Sequence, residues 1–178
     1  MLHLTFTILL FSCNIVAAQN SSDYVILSYG DTLRGKISIS PIGAYQEVRF
    51  EKDGEKTKFR SYEIKGYKVG NTRYVSMSPS NREPRVFMKI LVSGYCSLYF
   101  YSTAGAPSGI GLQPTLKRYY YLQREGEEIH EARFSRIRTG KDPYFADNPR
   151  LLNDLKRGLY REVNFNEVVE RYNRERRN

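Results

Sequence analysis

Residues 25–39 read VILSYGDTLRGKISI, and the fold class is decided in this stretch. The run from Tyr24 to Tyr29 is apolar and rich in strand-favouring side chains. Gly30-Asp31 interrupts it as a turn. Thr32 to Ser40 resumes the apolar pattern with Leu33, Ile37 and Ile39, and Gly35 stands in its middle. A glycine inside a strand pattern marks a bend or a bulge. Strand, tight turn and bent strand together predict antiparallel β structure.

The same grammar extends C-terminally. Val48 and Phe50 alternate within residues 47–51, and Asp53-Gly54 predicts a tight hairpin onto residues 56–60. Ser61-Tyr62-Glu63 suggests a single helical turn. Residues 64–69 and 73–77 read as strands around the turn Gly70-Asn71. SPSNREP, residues 78–84, reads as a linker. Beyond it VFMKILV (86–92) and CSLYFY (96–101) flank Ser93-Gly94, a second hairpin. Residues 103–114 form a Gly- and Pro-rich loop that includes Gly105, Pro107, Gly109, Gly111 and Pro114. Residues 118–123 contain Tyr119-Tyr120-Tyr121, and Glu125-Gly126-Glu127 turns the chain into residues 128–134. Fifteen Tyr and nine Phe with no Trp suit such a strand-rich chain.

The period changes near the C-terminus. Asn148-Pro149 predicts a helix cap followed by proline at the first helical position, with Leu151, Leu152, Leu155 and Leu159 on one face. Asn164 reads as the cap of a second helix, with Glu167 completing a capping box and Val163 and Val168 set for a hydrophobic staple. Phe165, Val168, Val169 and Tyr172 then recur at helical spacing. Helices this short need tertiary packing, so both faces are expected against the sheet or each other. The expected class is mainly β (α+β): an N-terminal small barrel over 19–77, the linker 78–84, an antiparallel β-region over 85–140, and two short C-terminal helices within 141–178.

Residues 4–18, LTFTILLFSCNIVAA, are almost wholly apolar and end in small residues before the polar break Asn20-Ser21-Ser22-Asp23. They read as an export signal over 1–18, with cleavage after Ala18. Leu10-Phe11-Ser12-Cys13 also resembles a lipobox, so lipidation at Cys13 stays open as the alternative. No later apolar run approaches the roughly 18 residues that a membrane span needs. The expected location is extracytoplasmic, periplasmic or secreted, with no transmembrane span in the mature chain.

Candidate chemistry is sparse. After cleavage one cysteine remains, Cys96, set in a strand pattern that predicts a buried, inert thiol. His130 is the one histidine left, and its polar surroundings predict a surface position rather than a catalytic role. No His, Cys or carboxylate cluster has metal-ligand spacing. Gly109-Ile110-Gly111 does not continue as a dinucleotide fingerprint, and no phosphate loop is present. No cofactor or metal is expected, and Glu127-Glu128 read as turn residues. The formal charge of +9 would raise nucleic acid as a partner, but export argues against it. Arg171, Arg174, Arg176 and Arg177 read as a solvated helix end.

The pieces VILSYGDTLRGKISI, Asp53-Gly54 and the turn before Ile64 resemble an SH3-like or Sm-like small barrel, which implies a fold without an activity. Across the mature chain, GDTLRGKI (30–37), YEIKGY (62–67), VFMKILVSGYCSLYFY (86–101), YYLQREGE (120–127), PYFADNPRLLNDLK (143–156) and VVERYN (168–173) are similar to a group of uncharacterised exported proteins of Bacteroidota-type bacteria. That resemblance implies an extracytoplasmic β-rich domain with a helical tail, and carries no catalytic residues. The expected function is a non-catalytic binding or scaffolding protein of the cell envelope, with Tyr99, Tyr101, Tyr119, Tyr120, Tyr121 and Gly109 as the candidate surface. Its partner would be an envelope protein, a glycan or an anionic lipid. Two alternatives stay open: an envelope glycan or peptide hydrolase using acidic residues, and a basic module for anionic lipid or lipopolysaccharide.

Overall fold

The computed structural model describes residues 23–39, 47–80, 83–104 and 116–176. The expected export signal over 1–18, with Cys13 and Ala18, lies outside the described residues, as do residues 105–114 of the expected Gly/Pro-rich loop, with Gly109, whereas Thr103 and Ala104 continue β9. The class is mainly β, with an α-helical C-terminal part, as the sequence predicts.

Strands β1 (Tyr24–Leu27), β2 (Thr32–Arg34), β3 (Lys36–Ser38), β4 (Glu47–Lys52), β5 (Glu55–Arg60), β6 (Ile64–Val69), β7 (Thr72–Met77), β8 (Val86–Val92), β9 (Cys96–Ala104), β10 (Leu116–Arg124) and β11 (His130–Ala132) form two antiparallel sheets. The larger is eight-stranded in the order β11-β10-β9-β8-β7-β6-β1-β2, and the smaller is β3-β4-β5. Helices α1 (Phe134–Arg138), α2 (Pro149–Lys156) and α3 (Phe165–Arg176) follow, the last preceded by a 3-10 turn at Glu162–Asn164.

Gly35 is where the chain leaves one sheet for the other. It separates β2 in the large sheet from β3 in the small one. A Cβ at this position would fall 2.6 Å from the Phe50 ring and 2.6 Å from the Glu51 carbonyl oxygen. Only glycine lets the bent strand pass this close to β4. The Asp53-Gly54 hairpin forms as predicted, with positive φ at both residues, matching the twist of a two-residue turn.

Residues 78–85 connect β7 directly to β8, which pair side by side through Val75↔Met88 and Ser76↔Phe87. A polar knot holds the connection. The Ser61 hydroxyl donates to the Arg85 carbonyl at 2.5 Å, the Ser76 hydroxyl donates to the Ser61 carbonyl, and Arg85 Nε donates to Ser76 Oγ at 3.0 Å.

The register runs one row of side chains across the whole large sheet: Leu33, Val25, Tyr67, Tyr74, Lys89, Phe100, Tyr120 and Ala132. Paired residues share a face, so this face carries two cores side by side. Val25, Leu27, Ile37, Val48, Phe50, Ile64, Tyr67 and Phe87 pack between the two sheets. Leu98, Leu122, Ala132, Phe134, Ile137, Phe145, Leu151, Leu155, Phe165, Val168, Val169 and Tyr172 pack between strands and helices.

A bulge between Ile90 and Val92 turns Val92 onto the helical side, opposite Leu98. Asn173 of α3 locks the hairpin there. Its Oδ1 accepts from Cys96 N and its Nδ2 donates to Cys96 O, both at 2.8 Å. Gly94 leaves the space, since a Cβ there would meet Asn173 Nδ2 at 2.7 Å.

The helices correct several expectations. The two helices expected within 141–178 form as α2 and α3, but among the described residues a third, α1, lies in the 85–140 stretch read as β; it buries Phe134 and Ile137 and is a single turn too short to carry a periodic signal. Asn148 caps α2 as predicted, accepting from Leu151 N at 3.0 Å, and Leu151 and Leu155 are buried. Leu159 falls beyond the end of α2 and is exposed. Val163 is 81% exposed, so no staple forms, because the 3-10 turn rotates it away from Val168. The predicted face of α3 is buried in full.

Arg174 and Arg176 are exposed, as a solvated end would be, but Arg171 is partly buried and both Arg171 and Arg176 are paired with carboxylates. Arg171 donates to Asp154 at 2.8 Å and to Glu175 at 2.7 Å, and Arg176 donates to Asp147 at 2.6 Å.

Candidate functional site

The other face of the large sheet carries the candidate site. Along β9 and β10 side chains alternate, so Tyr99, Tyr101, Tyr119 and Tyr121 share one face while Phe100 and Tyr120 share the opposite one. Tyr101 lies across from Tyr119 with ring centroids 5.9 Å apart, and Tyr99 lies across from Tyr121. Tyr121 is buried with Val86 and Met88, and Val75, Met77, Tyr99, Tyr101, Tyr119 and Ile129 pack against them. This cluster contains strand and turn residues only, and the described helices pack on the opposite face.

An open groove of about 310 Å³ is cut into this face. Tyr101, Tyr119, Tyr121 and Val86 line it from the sheet, together with Thr103 and Glu131. Pro79, Glu83 and Pro84 line it from the β7–β8 connection. Burial pushes the Tyr121 hydroxyl well above the usual phenol range, and the charges of Glu131 and Glu83 add to that shift. Tyr121 therefore keeps its proton and stays a neutral hydrogen-bonding group.

The structure thus brings together three of the five predicted tyrosines in one cavity and places Tyr99 beside it, where its hydroxyl approaches Gln123 Oε1 at 3.3 Å. Tyr120 is on the helical side, edge-on to Phe165 at 5.6 Å. Glu83 and Glu131 were not singled out from the sequence. Glu131 is the register partner of Tyr121, a relation visible only once β11 is paired.

Two other places bear on chemistry. Cys96 is fully buried, and burial pushes its thiol up to about 11. Its Sγ lies 3.9 Å from the Tyr144 hydroxyl. His130 is half-buried, with Nε2 2.9 Å from Asp142 Oδ2 and its ring stacked on Tyr144. Both residues touch Tyr144, and no hydrogen bond joins Cys96 to His130. A protonated thiol without a base beside it is no nucleophile.

Arg124 holds the region together. Its guanidinium lies 4.6 Å from the Tyr144 ring centroid, donates to the Tyr144 carbonyl and pairs with Asp147 at 3.1 Å. Burial alone would raise the Asp147 carboxyl, but hydrogen bonds from Tyr172 and Arg176 and the charge of Arg124 hold it below the usual range.

Among the described residues no group of three or more His, Cys, Asp or Glu side chains could hold a metal ion. Among them, too, no helix is long and apolar enough to cross a membrane. Comparison with family models, with curated proteins and with solved structures gave no match for this chain.

Proposed function

We infer that this chain is an exported, non-catalytic binding protein of the bacterial cell envelope, and that the tyrosine face of the large sheet is where it binds. The observation that carries this reading is the convergence of Tyr101, Tyr119 and Tyr121 on one open groove. Tyrosines scattered singly would only cover the sheet. Several rings sharing a cavity offer large rigid contact area with polar tips, at low cost in side-chain entropy. The apolar run LTFTILLFSCNIVAA supports export.

A photoreactive phenylalanine analogue at position 119, in the cells that make the protein, tests the reading. The expected result is a recurrent envelope adduct, protein or glycan, that is missing when the analogue sits at position 120 or 58. Equal labelling at all three positions overturns it.

The hydrolase alternative draws support from Glu83 and Glu131 sharing the groove. Release of envelope fragments that stops in Glu131→Gln would establish it in place of the binding reading. The basic-module alternative draws no support from Arg171, which is partly buried and paired with Asp154 and Glu175.

A further inference from the structure

The groove has a charge that the rest of the chain does not share. The protein carries +9 overall, yet among the described residues the charged ones lining the groove are two carboxylates, Glu83 and Glu131. No described lysine or arginine lines it. Two nearby cations, Arg85 and Arg118, point elsewhere. The Arg85 guanidinium is bound to Ser76 Oγ and to the Ser76 carbonyl, and Ser76 shares the opposite sheet face with Phe87. Arg118 is on the helical side with Tyr120. Lys117 lies on the tyrosine face, across from Thr103, but outside the lining. Arg133 pairs with Glu131 at 3.1 Å, with side chains 66% and 45% exposed. An ion pair that exposed is weak and exchanges for a better-placed cation.

Aromatic rings add to the same sign, because each ring face carries negative electrostatic potential. Three tyrosine rings and two carboxylates in one small cavity therefore favour a positive guest. The volume of about 310 Å³ is at the low end for ligand sites, which suits a small solute and not a folded domain.

We propose that the groove binds a small organic ammonium compound, its cationic head set against Tyr101, Tyr119 and Tyr121 and neutralised by Glu83 and Glu131. This rests on the reading of the tyrosine face as the binding surface and specifies its ligand chemistry. No bond is made or broken, and the ammonium keeps its charge.

The test compares choline with 3,3-dimethylbutan-1-ol, a neutral compound of the same shape, by following tyrosine ring resonances of the full chain. Choline is expected to shift the rings of Tyr101, Tyr119 and Tyr121 and to leave Tyr67 and Tyr172 unmoved. The neutral compound should bind about tenfold more weakly, the loss expected when a cation–aromatic and carboxylate contact is removed. Glu83→Gln and Glu131→Gln should each weaken choline by a similar factor while the Tyr67 and Tyr172 resonances certify the fold. Equal binding of both compounds overturns the cation requirement. Absence of any shift in the groove rings overturns the proposal outright. Either failure is separable from failure of the binding reading, which is decided by crosslinking at position 119 in cells and does not involve choline.

Discussion

Asn173 shows how much one side chain holds in place. It satisfies both backbone groups of Cys96 in a buried setting, tying α3 to the β8–β9 hairpin. Asn173→Ala leaves that N–H and C=O without partners and is expected to cost about 3 kcal/mol, read as a lower denaturant midpoint at unchanged slope. Asp147 gives the pH dependence. Its folded carboxyl titrates below its unfolded value, and so does that of Glu175, held down first by the hydrogen bond from Arg171. Below the ordinary carboxylate range the unfolded chain binds more protons, so this stabilisation is present at neutral pH and is lost as pH falls through the folded values. Asp147→Asn should flatten the acid limb of a stability–pH curve, and an unchanged limb would show that the Arg124–Asp147–Arg176 cluster contributes nothing. Cys96 was legible as an inert thiol from its strand neighbours, and its burial agrees. In a chain carrying Cys13→Ser it should resist alkylation at neutral pH until the protein unfolds.

Among elements, the hairpins were the most legible. A two-residue turn such as Asp53-Gly54 is specified locally by its need for positive φ, and needs no knowledge of the rest of the chain. Gly35 was readable as a bend, but its reason is tertiary: the Phe50 ring and the Glu51 carbonyl occupy the space of a side chain. Gly35→Ala is expected to cost about 2 kcal/mol by forcing β3 off β4, measured by thermal unfolding. α1 leaves no trace in the sequence because one turn has no period to detect, and Leu159 continues the apolar spacing yet lies outside α2 because helix ends are set by capping rather than by continuation of a pattern. The sheet's outer strands, β2 and β11, are three residues each, and β5 presents Lys56 and Lys58 along an exposed edge. Short and lysine-bearing edges discourage pairing with other chains.

In the molecule as a whole, the large sheet keeps its two faces apart. One face supports the inter-sheet and helical cores, and the other keeps its tyrosines for the groove. The two faces should therefore respond differently to the same substitution. Tyr120→Ala removes a ring packed on Phe165 and is expected to cost about 3 kcal/mol, whereas Tyr119→Ala, on the groove, should cost roughly 1 kcal/mol and abolish crosslinking from a photoreactive analogue placed at position 101. Similar losses of stability from both would show that the tyrosine face is structural packing.

What the sequence by itself determined is local: strand and turn positions, the capped helix starting at Asn148, the buried face of α3, and alternation along the Tyr-rich strands. Each follows from a period of two or 3.6 residues or from a turn needing special backbone angles. What only the tertiary structure decided is relational. Strand order, the registers that set Tyr101 beside Tyr119 and Glu131 beside Tyr121, and the approach of Glu83 from the β7–β8 connection all depend on long-range pairing. No short window of sequence encodes such pairing, because a register one residue away would preserve every local pattern while sending each side chain to the other face.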